Sequence, residues 1–150
     1  MAPHFNLQNV LDLRHRKVEA LEVELSRLMM ELLKIQTLLA SLQDLHRSLM
    51  QQMTGAMIGE IDLFTISVVH ANILQVGEHI TKVEKDLEKI NISVGHKRKE
   101  LVEAKQAEET LSILKEKRVE IYKAEQAQIE SRQQDDIYIA QAFRQQHQEA

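Results

Sequence analysis

Residues 66–94, ISVVHANILQVGEHITKVEKDLEKINISV, decide the fold of this chain. Apolar residues recur along this stretch with alternating spacings of three and four. The positions are Ile66, Val69, Ile73, Val76, Ile80, Val83, Leu87, Ile90 and Val94. A sustained repeat of this kind predicts an α-helix that winds against a second helix in a left-handed coiled coil.

An earlier apolar run has the same spacing and predicts the facing helix. Its seam positions are Val18, Leu21, Leu25, Leu28, Leu32, Ile35, Leu39, Leu42, His46 and Leu49. His46 is the polar member of this run. It would either fix the register of the two helices, as single polar seam residues do, or contact a partner protein.

The segment between the two runs carries turn signals. It contains Gly55 and Gly59, and Asp62 is a candidate N-cap for the helix that follows. We therefore predict an all-α fold, an antiparallel two-stranded coiled-coil hairpin with a longer C-terminal helix. The expected bounds are about 5–50 for helix 1, about 51–62 for the turn and about 63–145 for helix 2. Together they form a single coiled-coil domain over 1–150.

One very long helix that dimerises in parallel is the alternative. With a bend near residue 57, Leu7 would lie opposite residue 106 or 107. The heptad of the second helix loses its apolar character beyond Ala104, at Glu108, Lys115 and Arg118. That decay falls where a folded-back first helix would run out, so it favours the hairpin.

Composition and motifs argue against several function classes. The 150 residues include no Cys, and the net charge of −4 comes from interspersed residues of both signs. We expect no disulfide, no thiolate metal site and no nucleic-acid partner. No apolar run is long enough for a membrane span, and the first residues lack a signal-peptide pattern.

Catalytic signals are also absent from the sequence. It contains no His-Glu-x-x-His motif and no glycine-rich phosphate loop. A two-helix hairpin also lacks the concave pocket that catalysis requires. We therefore expect no catalytic, cofactor-binding or metal-binding residues, and a protein that acts by contacting other proteins.

Eleven apolar residues lie off the predicted core in the half of the hairpin next to the turn. They are Met29, Met30, Leu33, Leu38, Leu45, Met50, Met53, Met57, Phe64, Val68 and Leu74. One two-stranded seam cannot bury all of them. They indicate a docking face for a different protein, unless they widen the core or pair two hairpins.

Both ends of the chain carry a recognisable pattern. Residues 5–14 read FNLQNVLDLR, that is, an aromatic residue, Leu-Gln, Val-Leu-Asp-Leu and a basic residue. Residues 114–118 read LKEKR, Tyr122 follows, and residues 135–137 read DDI. In this order the motifs resemble the FliJ family of flagellar type III export proteins, although Asp136 stands where that family usually has Glu.

The resemblance implies a non-enzymatic stalk without a cofactor. FliJ proteins are similar in architecture to the central stalk of rotary ATP synthases. The end that carries both termini sits in the pore of the hexameric export ATPase and promotes its assembly and activity. The middle of the hairpin contacts the export-gate membrane protein, and the family also helps to recycle substrate-specific export chaperones. The expected location is cytoplasmic, associated peripherally with the inner membrane through the export apparatus.

Two sets of contact residues follow from the resemblance. The ATPase-facing residues would be Leu7, Leu11, Arg14, Arg118, Tyr122 and Ile137. The residues facing the export gate would be Leu38, Leu42, Leu45, His46, Val69, Ile73 and Val76. Three alternatives stay open. They are the equivalent stalk of a virulence-type III secretion system, a homodimeric coiled-coil scaffold, and a secretion chaperone that binds unfolded substrates.

Overall fold

The computed structural model describes residues 5–149, which form two α-helices. Helix α1 spans Gln8–Ala56 and has 49 residues, and helix α2 spans Leu63–Glu149 and has 87. Residues 57–62 join them, and residues 5–149 contain no β-strand. The two helices pack against each other, which confirms the predicted all-α hairpin with a longer C-terminal helix.

The contacts divide the chain into two compact units, which are described separately. Residues 18–103 form the unit that contains the turn. Residues 1–17 and 104–150 form the other, which is described from residue 5 to residue 149 and is called the terminal unit below.

In the unit that contains the turn, the heptad positions are the least exposed residues. The buried ones are Val18, Leu21, Leu42 and Leu49 on α1 and Val69, Val83, Ile90 and Val94 on α2. Every other predicted seam position, His46 included, is half-buried. Removal of this apolar stripe from water is the main force that holds the two helices together.

Helix α1 ends six residues later than the sequence predicts, at Ala56 rather than near residue 50. Gly55 lies inside the last turn, where a glycine costs about 1 kcal/mol but does not break a helix. The N–H of Ile58 donates to the carbonyl of Gly55 at 3.2 Å, a short-range bond that tightens the helix end. Gly59, at φ 81°, provides the left-handed backbone that reverses the chain.

The later helix end also corrects the predicted pairing in the terminal unit. His15 pairs with Glu108, and Arg118 lies over the ring of Phe5. Leu7 follows Phe5 by two residues, so it faces α2 well beyond residues 106 and 107. The expectation that Leu7 lies opposite those residues is therefore wrong, because the bend lies later than residue 57.

Asp62 caps the N-terminus of α2, as its position after the glycines predicts. Its Oδ1 accepts the N–H of Phe64 at 3.1 Å, and its Oδ2 accepts the hydroxyl of Thr65 at 2.8 Å. The bond from Thr65, followed by the one from the Phe64 N–H, holds the pKa of the Asp62 carboxyl below its ordinary value. The cap thus satisfies a backbone donor that the first turn of a helix leaves without an internal partner.

The half-buried face of α2 changes its period in the terminal unit. Beyond Ala104 the protected positions are Ala107, Glu108, Leu111, Ser112, Lys115, Val119, Tyr122 and Gln126. Ala104, Lys115 and Gln126 are separated by eleven residues each, the repeat of a nearly straight or slightly right-handed pair. A continued heptad would place Arg118 in the seam, but Arg118 is exposed and Val119 is half-buried instead.

A pair of leucine substitutions tests the seam in the turn-containing unit. Leu21 is 6% exposed and Leu33 is 63% exposed on the same helix. We expect Leu21→Ala to lower the free energy of unfolding by about 2–3 kcal/mol, because it leaves a cavity between the helices. Leu33→Ala should change it by less than about 0.5 kcal/mol. Urea unfolding followed by circular dichroism measures both values, and equal losses would contradict the assigned seam.

Replacement of Asp62 tests the helix cap. Asp62→Ala should lower the Tm at pH 7 by a few degrees, whereas Asp62→Asn should keep most of the capping bond. The folded-state pKa is lowered, so the charged cap stabilises the fold above the ordinary Asp pKa of about 3.9. This contribution disappears as the pH falls through the lowered folded-state pKa. The Tm gap between wild type and Asp62→Ala should therefore shrink towards acid pH, and a gap that widens there would rule out the carboxylate cap.

Candidate partner-binding surfaces

Phe5 anchors the start of α1 in the terminal unit. Its side chain is 6% exposed, and its carbonyl accepts the N–H of Gln8 at 3.0 Å. The guanidinium carbon of Arg118 lies 5.6 Å from the centroid of the Phe5 ring, within the range of a cation–π contact. This contact joins the start of the chain to α2 at the level of Arg118.

A second polar contact joins the two helices nearby. His15 Nδ1 lies 2.7 Å from Glu108 Oε1, and the Glu108 side chain is mostly protected from solvent. Glu108 occupies a seam-facing position of α2. The pairing with His15 therefore gives a carboxylate at the helix interface a hydrogen-bond partner.

All six residues predicted to face the ATPase lie in the terminal unit. Leu11 and Tyr122 are half-buried, whereas Leu7, Arg14, Arg118 and Ile137 are exposed. Five of the six lie where the first residues of the chain and α2 face each other. Ile137 lies apart from them, about 22 Å further along α2 than Tyr122 at the rise of an α-helix.

A groove on the start of α1 adds residues that the sequence reading did not select. Its volume is about 570 Å³, and it is lined by Val10, Leu13, Arg14, Arg16 and Lys17. Val10 and Leu13 expose apolar surface there, and the three cations form no ion pair among residues 5–149. The i, i+3, i+4 and i+7 spacing of Val10, Leu13, Arg14 and Lys17 is the sequence signal that these side chains share one face of the helix.

The final part of α2 has no facing helix among the described residues. Between residues 127 and 148 every side chain is exposed except that of Ala142, which is half-buried. Large apolar side chains are nevertheless frequent in this stretch: Ile129, Ile137, Tyr138, Ile139 and Phe143. Exposed apolar residues on an unpaired helix indicate a surface that a partner covers.

The residues expected to face the export gate divide into two groups. Leu42 and Val69 are buried against the facing helix, and His46, Ile73 and Val76 are half-buried at the same seam. These five therefore stabilise the hairpin, and the buried Leu42 and Val69 offer little surface to a partner. Leu38 and Leu45 are exposed, so direct contact with a partner at this level would depend on them.

The off-seam apolar residues are not part of a widened core. Ten of the eleven are exposed, and Met53 is half-buried. The seam positions alone form the core of this unit, as the narrow contact between two helices requires. The off-seam residues are therefore available to another molecule.

Lys97 occupies a seam position of α2 and crosses to α1. Its Nζ lies 2.7 Å from Glu24 Oε2 and 3.4 Å from Glu100 Oε2. The hydrogen bond with Glu24 raises the pKa of Lys97 and lowers the pKa of Glu24. A charged pair across the seam favours one register, because a shifted register would separate Lys97 from Glu24.

The described residues contain neither a group of side chains suited to metal binding nor a helix suited to spanning a membrane. Within residues 5–149 no three or more His, Asp or Glu side chains are grouped so that they could hold a metal ion. None of the helices in that range is both long and apolar enough to cross a membrane.

The fold and these surfaces define a helical-hairpin protein with exposed apolar and cationic faces. The family model of the flagellar FliJ protein matches residues 3–147, and the chain therefore belongs to the FliJ family. No match is found among curated proteins or among solved structures. Membership supports a role related to flagellar protein export, in agreement with the resemblance of the two ends of the chain.

Substitution of Phe5 tests how the start of α1 is held. Phe5→Ala should lower the stability of the terminal unit by about 3 kcal/mol, because a buried aromatic ring and its contact with Arg118 are lost. Hydrogen exchange should show faster exchange in residues 8–17, and little change around Val83. The matched control is Phe143→Ala, since the side chain of Phe143 is 59% exposed. Equal protection in both variants would contradict the anchoring role.

Proposed function

We propose that this chain is the non-enzymatic stalk and adaptor of the flagellar type III export apparatus. In this function it promotes the assembly and activity of the hexameric export ATPase, and it links that ATPase to the export gate and to substrate-specific chaperones. Its location would be cytoplasmic, at the inner membrane through the export apparatus. Family membership supports the export role. The surfaces described above support separate contacts with the ATPase and with the export gate.

The observation that carries the proposal is the unpaired end of α2. Residues 127–148 form a single exposed helix, and a single helix with its side chains is about 10–12 Å in diameter. Such a helix fits a narrow axial pore more readily than a pair of helices does. Its exposed Ile137, Tyr138 and Phe143 would lose contact with water only when a partner surrounds them.

The cations at the start of α1 also support the terminal unit as the part of the chain that contacts the ATPase. Arg14, Arg16 and Lys17 lie on one part of the first turns of α1, next to exposed Val10 and Leu13. A cationic and apolar face is suited to an acidic, partly apolar partner surface, and its charge would speed the encounter. Arg118 and Tyr122 lie on the facing part of α2.

The proposed gate contact depends on the turn-containing unit. Leu38 and Leu45 on α1 would provide the direct contacts, while the buried Leu42 and Val69 hold the two helices in place beneath them. His46, Ile73 and Val76 would contribute through their half-exposed surfaces. The assignment of ATPase and gate contacts to different residues makes the two interactions separable by mutation.

A homodimeric scaffold is the second candidate function. The exposed off-seam apolar residues, such as Met30, Leu33 and Leu74, could be covered by a second copy of the chain. Sedimentation of the purified protein distinguishes the two candidates. A stable dimer at micromolar concentration that leaves ATP hydrolysis by the export ATPase unchanged would favour the scaffold.

Two substitutions of exposed residues test the stalk function, because each should weaken one of the two proposed contacts and leave the other intact. Ile137→Ser should reduce stimulation of ATP hydrolysis by the purified hexameric export ATPase severalfold and leave binding to the cytoplasmic part of the gate protein intact. Leu45→Ser should weaken gate binding severalfold and leave ATPase stimulation intact. Both side chains are exposed, so neither change removes seam packing.

Each variant serves as the control for the other in this experiment. ATP hydrolysis is measured with a coupled assay and gate binding by calorimetry, on the same preparations. Absence of stimulation by the unaltered chain would refute the stalk function. If both variants lose both activities and circular dichroism shows that they are unfolded, the losses reflect a folding defect. If both variants are folded and still lose both activities, the division into two contact surfaces is refuted.

A further inference from the structure

The turn between the helices carries the most exposed apolar cluster in the described chain. We call this cluster the turn patch and define it as Met57, Ile58, Ile61, Leu63 and Phe64. The exposed fractions of these side chains range from 57% for Met57 to 76% for Leu63. None of them belongs to the ATPase-facing or gate-facing sets, although Met57 and Phe64 are among the off-seam apolar residues that indicate a docking face. Clustered apolar side chains of this kind, left in water, mark an interaction surface.

The turn itself does not require these side chains. Its geometry comes from Gly59 at φ 81°, from the bond between Ile58 N–H and the Gly55 carbonyl, and from the Asp62 cap. Polar residues at positions 58, 61 and 64 would satisfy the same backbone. Fixed backbone geometry also limits the entropy that the patch would lose on binding. A structural role for the apolar side chains is therefore not evident.

The charges near the turn patch indicate which kind of molecule could cover it. No Lys or Arg occurs between Arg47 and Lys82, whereas Glu60 and Asp62 lie within the turn. Segments that lie on membranes combine apolar residues with Lys and Arg, which the anionic lipid surface attracts. The turn patch has acidic neighbours instead, so a membrane surface is a poor occupant.

A second copy of the chain is also a poor occupant for this patch. A symmetric contact between two turn patches would bring Glu60 and Asp62 of both copies into the same small interface. Like charges at the rim of an interface oppose association. The occupant that remains is a different protein whose apolar cleft has a basic rim.

We propose that the turn patch is a docking surface for such a protein, with Ile58 and Phe64 as the apolar anchors and Glu60 as the acidic rim contact. The interaction is separate from the proposed contacts of Leu38, Leu45 and the terminal unit. A few such anchors carry most of the binding energy of an interface, and loss of two of them should weaken it at least about tenfold. The choice of binding partners for the test rests on the proposed function.

The test compares the full-length chain with the double variant Ile58→Ser/Phe64→Ser. Three purified probes are titrated by calorimetry: the hexameric export ATPase, the cytoplasmic part of the export-gate protein and a flagellar export chaperone. For one of the three, the Kd of the double variant should rise at least about tenfold. Glu60→Lys should weaken the same interaction and reduce its dependence on salt, because it removes the acidic rim charge.

The matched control is Val23→Ser/Ile92→Ser. These two side chains lie in the same unit, are as exposed as Met57 and lie outside the turn, so this variant should bind like the unaltered chain. Thermal unfolding of every variant checks that the fold is retained. Equal affinity of the patch variant and the unaltered chain for all three probes would overturn the inference and leave the proposed function intact.

Two further measurements test the alternatives, a membrane surface and a second copy of the chain. Binding to phosphatidylglycerol vesicles that the double variant abolishes would show a membrane contact, and would overturn the inference. Self-association in the ultracentrifuge that the double variant abolishes would show a contact between copies, with the same consequence. If the unaltered chain binds none of the three probes, the proposed function and the inference both fail.

Discussion

Burial of one apolar stripe between α1 and α2 is the constraint on which the rest of the structure depends. A contact between two helices protects a narrow seam, and the best-protected side chains, Val83 and Val94, still keep 4% of their surface exposed. Everything off the seam lies in water. The side chains that another molecule could contact therefore lie on the outer faces of the helices. Membership of the FliJ family assigns the chain a role related to flagellar export.

Polar contacts between the helices supplement the apolar seam. Lys97 and Glu108, at seam-facing positions of α2, pair with Glu24 and His15, and Arg118, outside the seam, lies over Phe5. Each contact joins the start of the chain or α1 to α2. These contacts contribute less to the free energy of folding than the apolar stripe does, but they penalise any shift of register.

The change of period beyond Ala104 explains why the heptad pattern fades in the sequence. The contact continues with an eleven-residue repeat, in which Lys115, Val119, Tyr122 and Gln126 take the protected positions. A heptad continued beyond Ala104 would place the exposed Arg118 in the seam, so the apolar pattern ends there when only the heptad is considered. An eleven-residue repeat corresponds to about 3.67 residues per turn, closer to the 3.6 of an α-helix than the 3.5 of a heptad, so the protected stripe drifts less around α2 per residue.

The sequence by itself determined the two helices, the seam of residues 18–94, the Asp62 cap and the family, because each depends on local spacing or on short motifs. Only the tertiary structure decided where α1 ends, since Gly55 is tolerated inside a helix when the following Gly59 can reverse the chain. It also decided which predicted contact residues are accessible: Leu42 and Val69 are enclosed by the facing helix, whereas Leu38 and Leu45 are not. Exposure depends on which face of a helix meets its neighbour, and that relation between distant residues is fixed only when the two helices pack.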